Sequence, residues 1–122
     1  MEENEQSAKR YDLEDRTFQF AQDVPRFVKL LPRTMGNVED IRQLVRASGS
    51  VGAKYVEANE SLSKKDFVMR VKISRKEAKE SRYWLRLLDS AGDGTLEKQR
   101  ASLVQEATEL MNIFGAILRK CE

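Results

Sequence analysis

A chain of 122 residues, 40% hydrophobic and 34% charged, has the size and balance of one soluble, helix-rich domain with a single core. Two prolines and six glycines are too few for the many turns of an all-β fold, and no apolar run approaches the ~18 residues of a membrane span. The net charge is only +2, but residues 1–16 carry three basic and six acidic groups while residues 64–86 carry nine and three. The polar, acidic start MEENEQSAKR has no signal-peptide pattern, and the single Cys121 builds no intramolecular disulfide. A reducing cytoplasm is the expected location.

In chain order, residues 1–10 lack periodicity and are expected to form a disordered lead-in, with the folded domain spanning 11–122. From Leu13 the pattern turns helical: Phe20, Val24, Phe27, Leu30 and Leu31 share one side, broadened by Phe18 and Val28, with Asp12 or Asp15 as N-cap. Pro25 predicts a kink, or a helix restarting at Val24, and Pro32 ends the element. Asn37 is the expected cap of a second helix whose seam reads Val38, Ile41, Val45, Ser48, Gly52, Tyr55 and Asn59. Its middle is poor in bulk, and Gly49 and Gly52 each cost about 1 kcal/mol relative to Ala, so a close helix approach should offset them.

The third segment, capped by Ser61 or Ser63, has no Gly or Pro up to Leu88 and is about 40 Å long if helical throughout. Phe67, Val71, Ser74, Ala78, Ser81, Leu85 and Leu88 alternate by four and three, the seam of a helix packed on other helices. The small waist Ser74, Ala78 and Ser81 is expected to meet Gly49 and Gly52 of the antiparallel neighbour. Residues 89–95 form a loop from which Thr95 caps a fourth helix. That helix places Leu96, Leu103, Ala107, Leu110, Phe114, Ile117 and Cys121 on its seam, with Val104, Met111 and Leu118 beside it. Four amphipathic segments on short connections predict an all-α, antiparallel, up-down-up-down four-helix bundle.

With the third seam fixed, Lys65, Lys72, Lys79 and Arg86 recur every seven residues on one outer line, flanked by Arg75, Lys76, Arg82 and Tyr83. A row of cations on a rigid rod can track phosphates and release counterions; its plainer role is a solvated helix face partly neutralised by Glu. Glu57, Glu60, Glu77 and Glu80 form a carboxylate ladder, but without His it lacks the usual companion of a bundle metal site, and no metal is expected. Glu77 and Glu80 are instead expected to pair with Arg42, Arg46 or Arg82. Asp89 and Asp93 resemble part of a calcium loop, but Ala91 and Arg100 occupy two ligand positions, which excludes it. Gly49-Ser-Val-Gly52 spells a G-x-x-G loop inside a helical pattern without flanking strands, and is packing.

Tyr83 and Trp84 could stack on bases, although Trp84 falls beside the seam, where burial in the bundle or at a subunit contact is favoured. Ile73 and Leu87, taken to lie on the flank opposite Trp84, widen the apolar surface beyond one bundle seam; with Trp84 they are the candidate subunit interface. Asn59, polar on a seam, is expected to cap a helix end or satisfy Glu60 or an Arg, with register fixing at an interface as the sharper role. Cys121 has no activating neighbours.

The stretches from Tyr11 to Ala21, from Arg46 to Ser61 and from Ser63 to Leu88, with a looser fit from Leu103 to Leu118, resemble the four helix bundle proteins, also called 23S rRNA intervening-sequence proteins. The resemblance covers nearly everything after residue 10 and implies an antiparallel four-helix bundle and a homopentamer. It carries no catalytic residues; some members are encoded inside insertions in rRNA genes, and a distant relative accompanies reverse transcriptases. Pro25 and the acidic lead-in depart from the family's pattern, which bears on the first helix only. The expectation is a non-enzymatic, cofactor-free, self-associating bundle that binds RNA or DNA through Lys65, Lys72, Arg75, Lys76, Lys79, Arg82 and Arg86. The alternative is an oligomeric scaffold for a protein partner.

Overall fold

The computed structural model describes residues 2–122, with side chains from Asp12 onward. The described residues are all-α: four helices, α1 (Glu2–Val28), α2 (Met35–Asn59), α3 (Lys64–Leu87) and α4 (Gly94–Lys120), and no strand. The lead-in expected over residues 1–10 falls outside the described side chains. Pro25 neither breaks α1 nor restarts it: the helix runs through to Val28, and Lys29 N–H donates to the Pro25 carbonyl at 3.3 Å.

Two caps differ from expectation. Thr34, not Asn37, caps α2, its hydroxyl accepting from Asn37 N–H at 3.1 Å. Asp93, not Thr95, caps α4, one carboxylate oxygen accepting from the N–H of Thr95 and Leu96 at 2.9 and 3.1 Å. Cap signals fix a helix start only to within a few residues, because several short polar side chains in succession can supply the acceptor. Ser63 caps α3 through Asp66 N–H. Asn37 is buried, and its amide joins the two loops at one end: Nδ2 donates to the Pro32 and Asp89 carbonyls, and Oδ1 accepts from Asp89 N–H, all at 2.9 Å.

The core is the shared interior of the four helices, with Phe20, Val24, Leu44, Val51, Val71, Leu85, Leu110 and Phe114 at its centre. On α3 the expected stripe is the buried one from Val71 to Leu88, with Phe67 half-buried. On α2 part of the expected stripe is buried as read, at Ser48, Gly52 and Tyr55 with Ile41 packed against the core; Val38 and Val45 are exposed, and Asn37, Leu44, Val51 and Ala58 are buried instead. Phe18 of α1 and Leu30 just after it are also exposed.

Register follows from cross-helix contacts. Glu14 meets Asn59 and Thr17 meets Gly52; Arg46 meets Glu80 and Arg70 meets Glu57; Arg75 meets Gly115 and Arg82 meets Thr108. In each pair of helices the numbers rise on one as they fall on the other. The close approach of α2 and α3 runs through Ser74, whose hydroxyl donates to the Val51 carbonyl at 3.0 Å, with Ala78 and Ser81 buried beside it. The glycines serve otherwise. A Cβ at Gly52 would lie 2.8 Å from Thr17 Oγ1 of α1, and one at Gly49 would meet nothing within 4 Å. The nearest neighbour of Gly52 is therefore α1 and not the expected α3, and Gly49 is an open surface position.

Candidate nucleic-acid interface

The basic face of α3 is set by its seam. With Val71, Ser74, Ala78, Ser81 and Leu85 turned into the bundle, residues one step past Val71, Ala78 and Leu85 point outward. Those positions are Lys72, Lys79 and Arg86, with Lys65 one repeat earlier, and all four are exposed. None of the four pairs with a described carboxylate. Seven residues of helix place successive cations about 10 Å apart, so the line spans roughly 30 Å.

The other three predicted cations divide. Lys76 is exposed and sits 3.5 Å from a Glu77 carboxylate oxygen. Arg82 is half-buried and reaches Thr108 Oγ1 of α4 at 3.5 Å. Arg75 lies over Gly115 of α4, and Arg119 reaches the same spot: a Cβ at Gly115 would stand 3.4 Å from Arg119 Nη1 and 4.0 Å from Arg75 Cζ. Two guanidinium groups thus converge where α3 meets α4, and neither has a described carboxylate partner. Arg119 was not among the sequence candidates, because only the contact across helices brings it to the α3 face.

On the opposite flank, against α2, the positive charge is neutralised. Arg70 pairs with Asp66 and Glu57, and Arg46 of α2 lies 3.8 and 3.4 Å from Glu77 and Glu80. The Asp66 hydrogen bond, foremost, raises the pKa of Arg70 above the ordinary guanidinium value. Glu77 is buried, and its Oε2 accepts no hydrogen bond from a described group. Three of the four ladder carboxylates, Glu57, Glu77 and Glu80, are therefore spent on cations, with Glu57 also 3.4 Å from Lys54. No group of three or more metal-binding side chains occurs among the described residues.

The expected subunit-contact residues lie on one flank of α3 but are unequally exposed. Trp84 is half-buried and packs against the chain's own core, Ile73 is half-buried, and Leu87 is half-exposed. Ile73 and Trp84, eleven residues apart, fall within about 20° of each other around a helix, so they share a flank and do not oppose one another. Exposed apolar surface also lies elsewhere: in a groove of about 430 Å³ between α1 and α2 lined by Phe18, Ala21, Gly49, Gly52, Ala53 and Val56, and in one of about 630 Å³ around Val68 and Met69 of α3. Tyr83 projects from the basic face, 57% exposed, edge-on to Trp84 with ring centroids 5.0 Å apart and planes at 84°.

The remaining candidates are structural. Asn59 Nδ2 donates to Glu14 Oε2 at 2.7 Å, tying α2 to α1; Asp89 accepts from Ala91 N–H of its own loop, and Asp93 from the first turn of α4. Gly49-Ser-Val-Gly52 lies inside α2, and Cys121 is the half-buried C-cap of α4. Sequence reasoning missed the bridging role of Asn37, expected there as a cap, and the ties made by Arg16 and Arg100, whose partners are up to 93 residues away. Arg16 of α1 holds Glu106 and Glu109 of α4, and the Glu106 hydrogen bond, foremost, raises its pKa above the usual guanidinium range.

No helix among the described residues is long and apolar enough to cross a membrane. Among curated proteins none matches the chain. A crystal structure of a protein of unknown function from the S23 ribosomal protein family of Bacteroides thetaiotaomicron is similar, at 28% identity over 87% of this chain and 97% of that one, with a TM-score of 0.75. The family model for the 23S rRNA-intervening sequence protein matches residues 9–116, almost the whole described bundle. The chain belongs to the 23S rRNA-intervening sequence protein family.

Proposed function

We propose that this chain is a non-enzymatic, cytoplasmic accessory protein that binds RNA or DNA, built as an up-down-up-down bundle that assembles into a homopentamer. The observation that carries the binding role is the line Lys65, Lys72, Lys79 and Arg86, exposed along one rigid helix without a described carboxylate partner. Arg75 and Arg119 extend it onto α4 as two like charges that both approach Gly115, an arrangement that an anion between them would stabilise. Lys76 and Arg82 contribute less, one beside Glu77 and the other engaged with Thr108. Such a face neutralises phosphates without reading bases, and several copies on one ring would add weak contacts through effective concentration.

The test is fluorescence anisotropy of labelled oligonucleotides across a salt series. Wild type is compared with a variant carrying Lys65→Glu, Lys72→Glu, Lys79→Glu and Arg86→Glu at unchanged helicity. Binding that falls steeply with salt and disappears in the variant is the expected result. Absence of wild-type binding at low salt, where screening is weakest, overturns the proposal. The α1–α2 groove with its exposed Phe18 and Val56 favours self-association, and in that case the ring would serve as a scaffold for a protein partner. Light scattering on the intact chain is expected to give five times 14.1 kDa; a monomer removes the ring and the avidity argument together.

A further inference from the structure

We propose that Tyr83 makes the basic face of α3 selective for single-stranded polynucleotide, RNA or DNA, by stacking on one unpaired base. The inference rests on the nucleic-acid reading above and specifies the ligand of that same face. Three observations carry it. Tyr83 is 57% exposed, so its ring contributes little to the bundle core. Its ring is nonetheless held: Trp84, half-buried against the core, meets it at 84° with centroids 5.0 Å apart. An edge-on contact restrains the ring while leaving a face open, which is the geometry of a preorganised platform.

The third observation is position. Lys79 lies one turn before Tyr83 and Arg86 just under one turn after it, so both cations neighbour the ring on the helix surface. A strand crossing Tyr83 would place its phosphates on Lys79 and Arg86, about 10 Å apart, with one base turned down onto the ring between them. Stacking of this kind is indifferent to sequence, because every base has a π-face. A duplex can meet the same four cations but keeps its base faces covered by neighbours, leaving Tyr83 with nothing to stack on. The cations thus supply attraction for either form, and Tyr83 supplies the difference between them.

The experiment measures affinity by anisotropy for one labelled sequence as single-stranded RNA, single-stranded DNA and the corresponding duplexes. Proteins are the wild type, Tyr83→Ala and Tyr83→Phe; the position is exposed and helical, so all three are expected to fold. Single strands of either sugar should bind wild type more tightly than duplexes. Tyr83→Ala should lose about tenfold on single strands and no more than about twofold on duplexes, and Tyr83→Phe, which keeps the π-face, should behave as wild type. Trp84 is the only tryptophan, so its emission should be quenched by single strands and not by duplexes. Equal wild-type affinity for both forms, or a Tyr83→Ala variant unchanged on single strands, overturns the selectivity and leaves the phosphate-tracking face standing. No wild-type binding to any form at low salt overturns both.

Discussion

Gly49 and Gly52 stand three residues apart on α2 and obey opposite constraints. At Gly52 a methyl group would press on Thr17, whose hydroxyl is already donated to the Glu14 carbonyl at 2.9 Å, so α1 would have to move. Gly52→Ala is expected to destabilise by about 1–3 kcal/mol in chemical denaturation. At Gly49 there is open space, and Ala recovers the helix propensity that Gly forfeits, so Gly49→Ala is expected to stabilise by about 0.5–1 kcal/mol. Equal effects of the two substitutions would show that α1 does not approach α2 at Thr17. The sequence made the small residues legible but not their neighbour, because a gap in side-chain volume says that something comes near without saying what. Asn37 was read as a cap, since a polar residue before a helical pattern has that role far more often than it bridges two loops.

α3 was the most legible element, and for a physical reason. Its non-seam positions are so rich in Lys and Arg that only one phase of the helix can be buried, which fixes Val71 through Leu88 inward and the cationic line outward. α2 offered two overlapping phases that share Ser48 and Tyr55, and Val38 and Val45 imitate the seam positions that Asn37 and Leu44 hold. How α3 ends was not legible at all. The carbonyls of Leu85 and Leu88, left without intrahelical donors, accept from the Arg100 guanidinium of α4. Arg100 is held in turn by Glu97, which also accepts from Ser90 Oγ. The Ser90 hydrogen bond foremost, and Arg100 after it, pull the Glu97 carboxyl below its ordinary value of 4.5. A depressed carboxylate adds stability above its unfolded value and loses it as pH falls through the folded one. The gap in melting temperature between wild type and Glu97→Gln should therefore be largest near neutrality and close in acid. A gap that is flat with pH would assign the loss to shape and not to charge.

Across the whole molecule, the four helices and the outward side of α3 could be read from periodicity, and the family from three long stretches. The extension of the basic face to Arg119, and the neutralisation of its α2 flank by Glu57, Glu77 and Glu80, needed the helices in place. The helices are also unequally held. α3 packs extensively on both α2 and α4, whereas α1 meets α4 more lightly, with Arg16 as its charged tie to that helix. The Asn37 clasp secures the end of α1 nearest Pro32 and leaves the stretch around Arg16, Thr17 and Phe20 dependent on side-chain contacts alone. That asymmetry gives the molecule a place to breathe. Amide protons of residues 12–20 should exchange with solvent through a partial opening, well before those of α2 and α3, whose exchange awaits global unfolding. Raising the ionic strength should quicken exchange in this stretch selectively by screening Arg16 from Glu106 and Glu109. Uniform protection in mass-resolved hydrogen exchange would show instead that all four helices open as one unit; a protected α3 beside a labile α1 would mean that the cationic helix keeps its shape while its neighbour comes and goes.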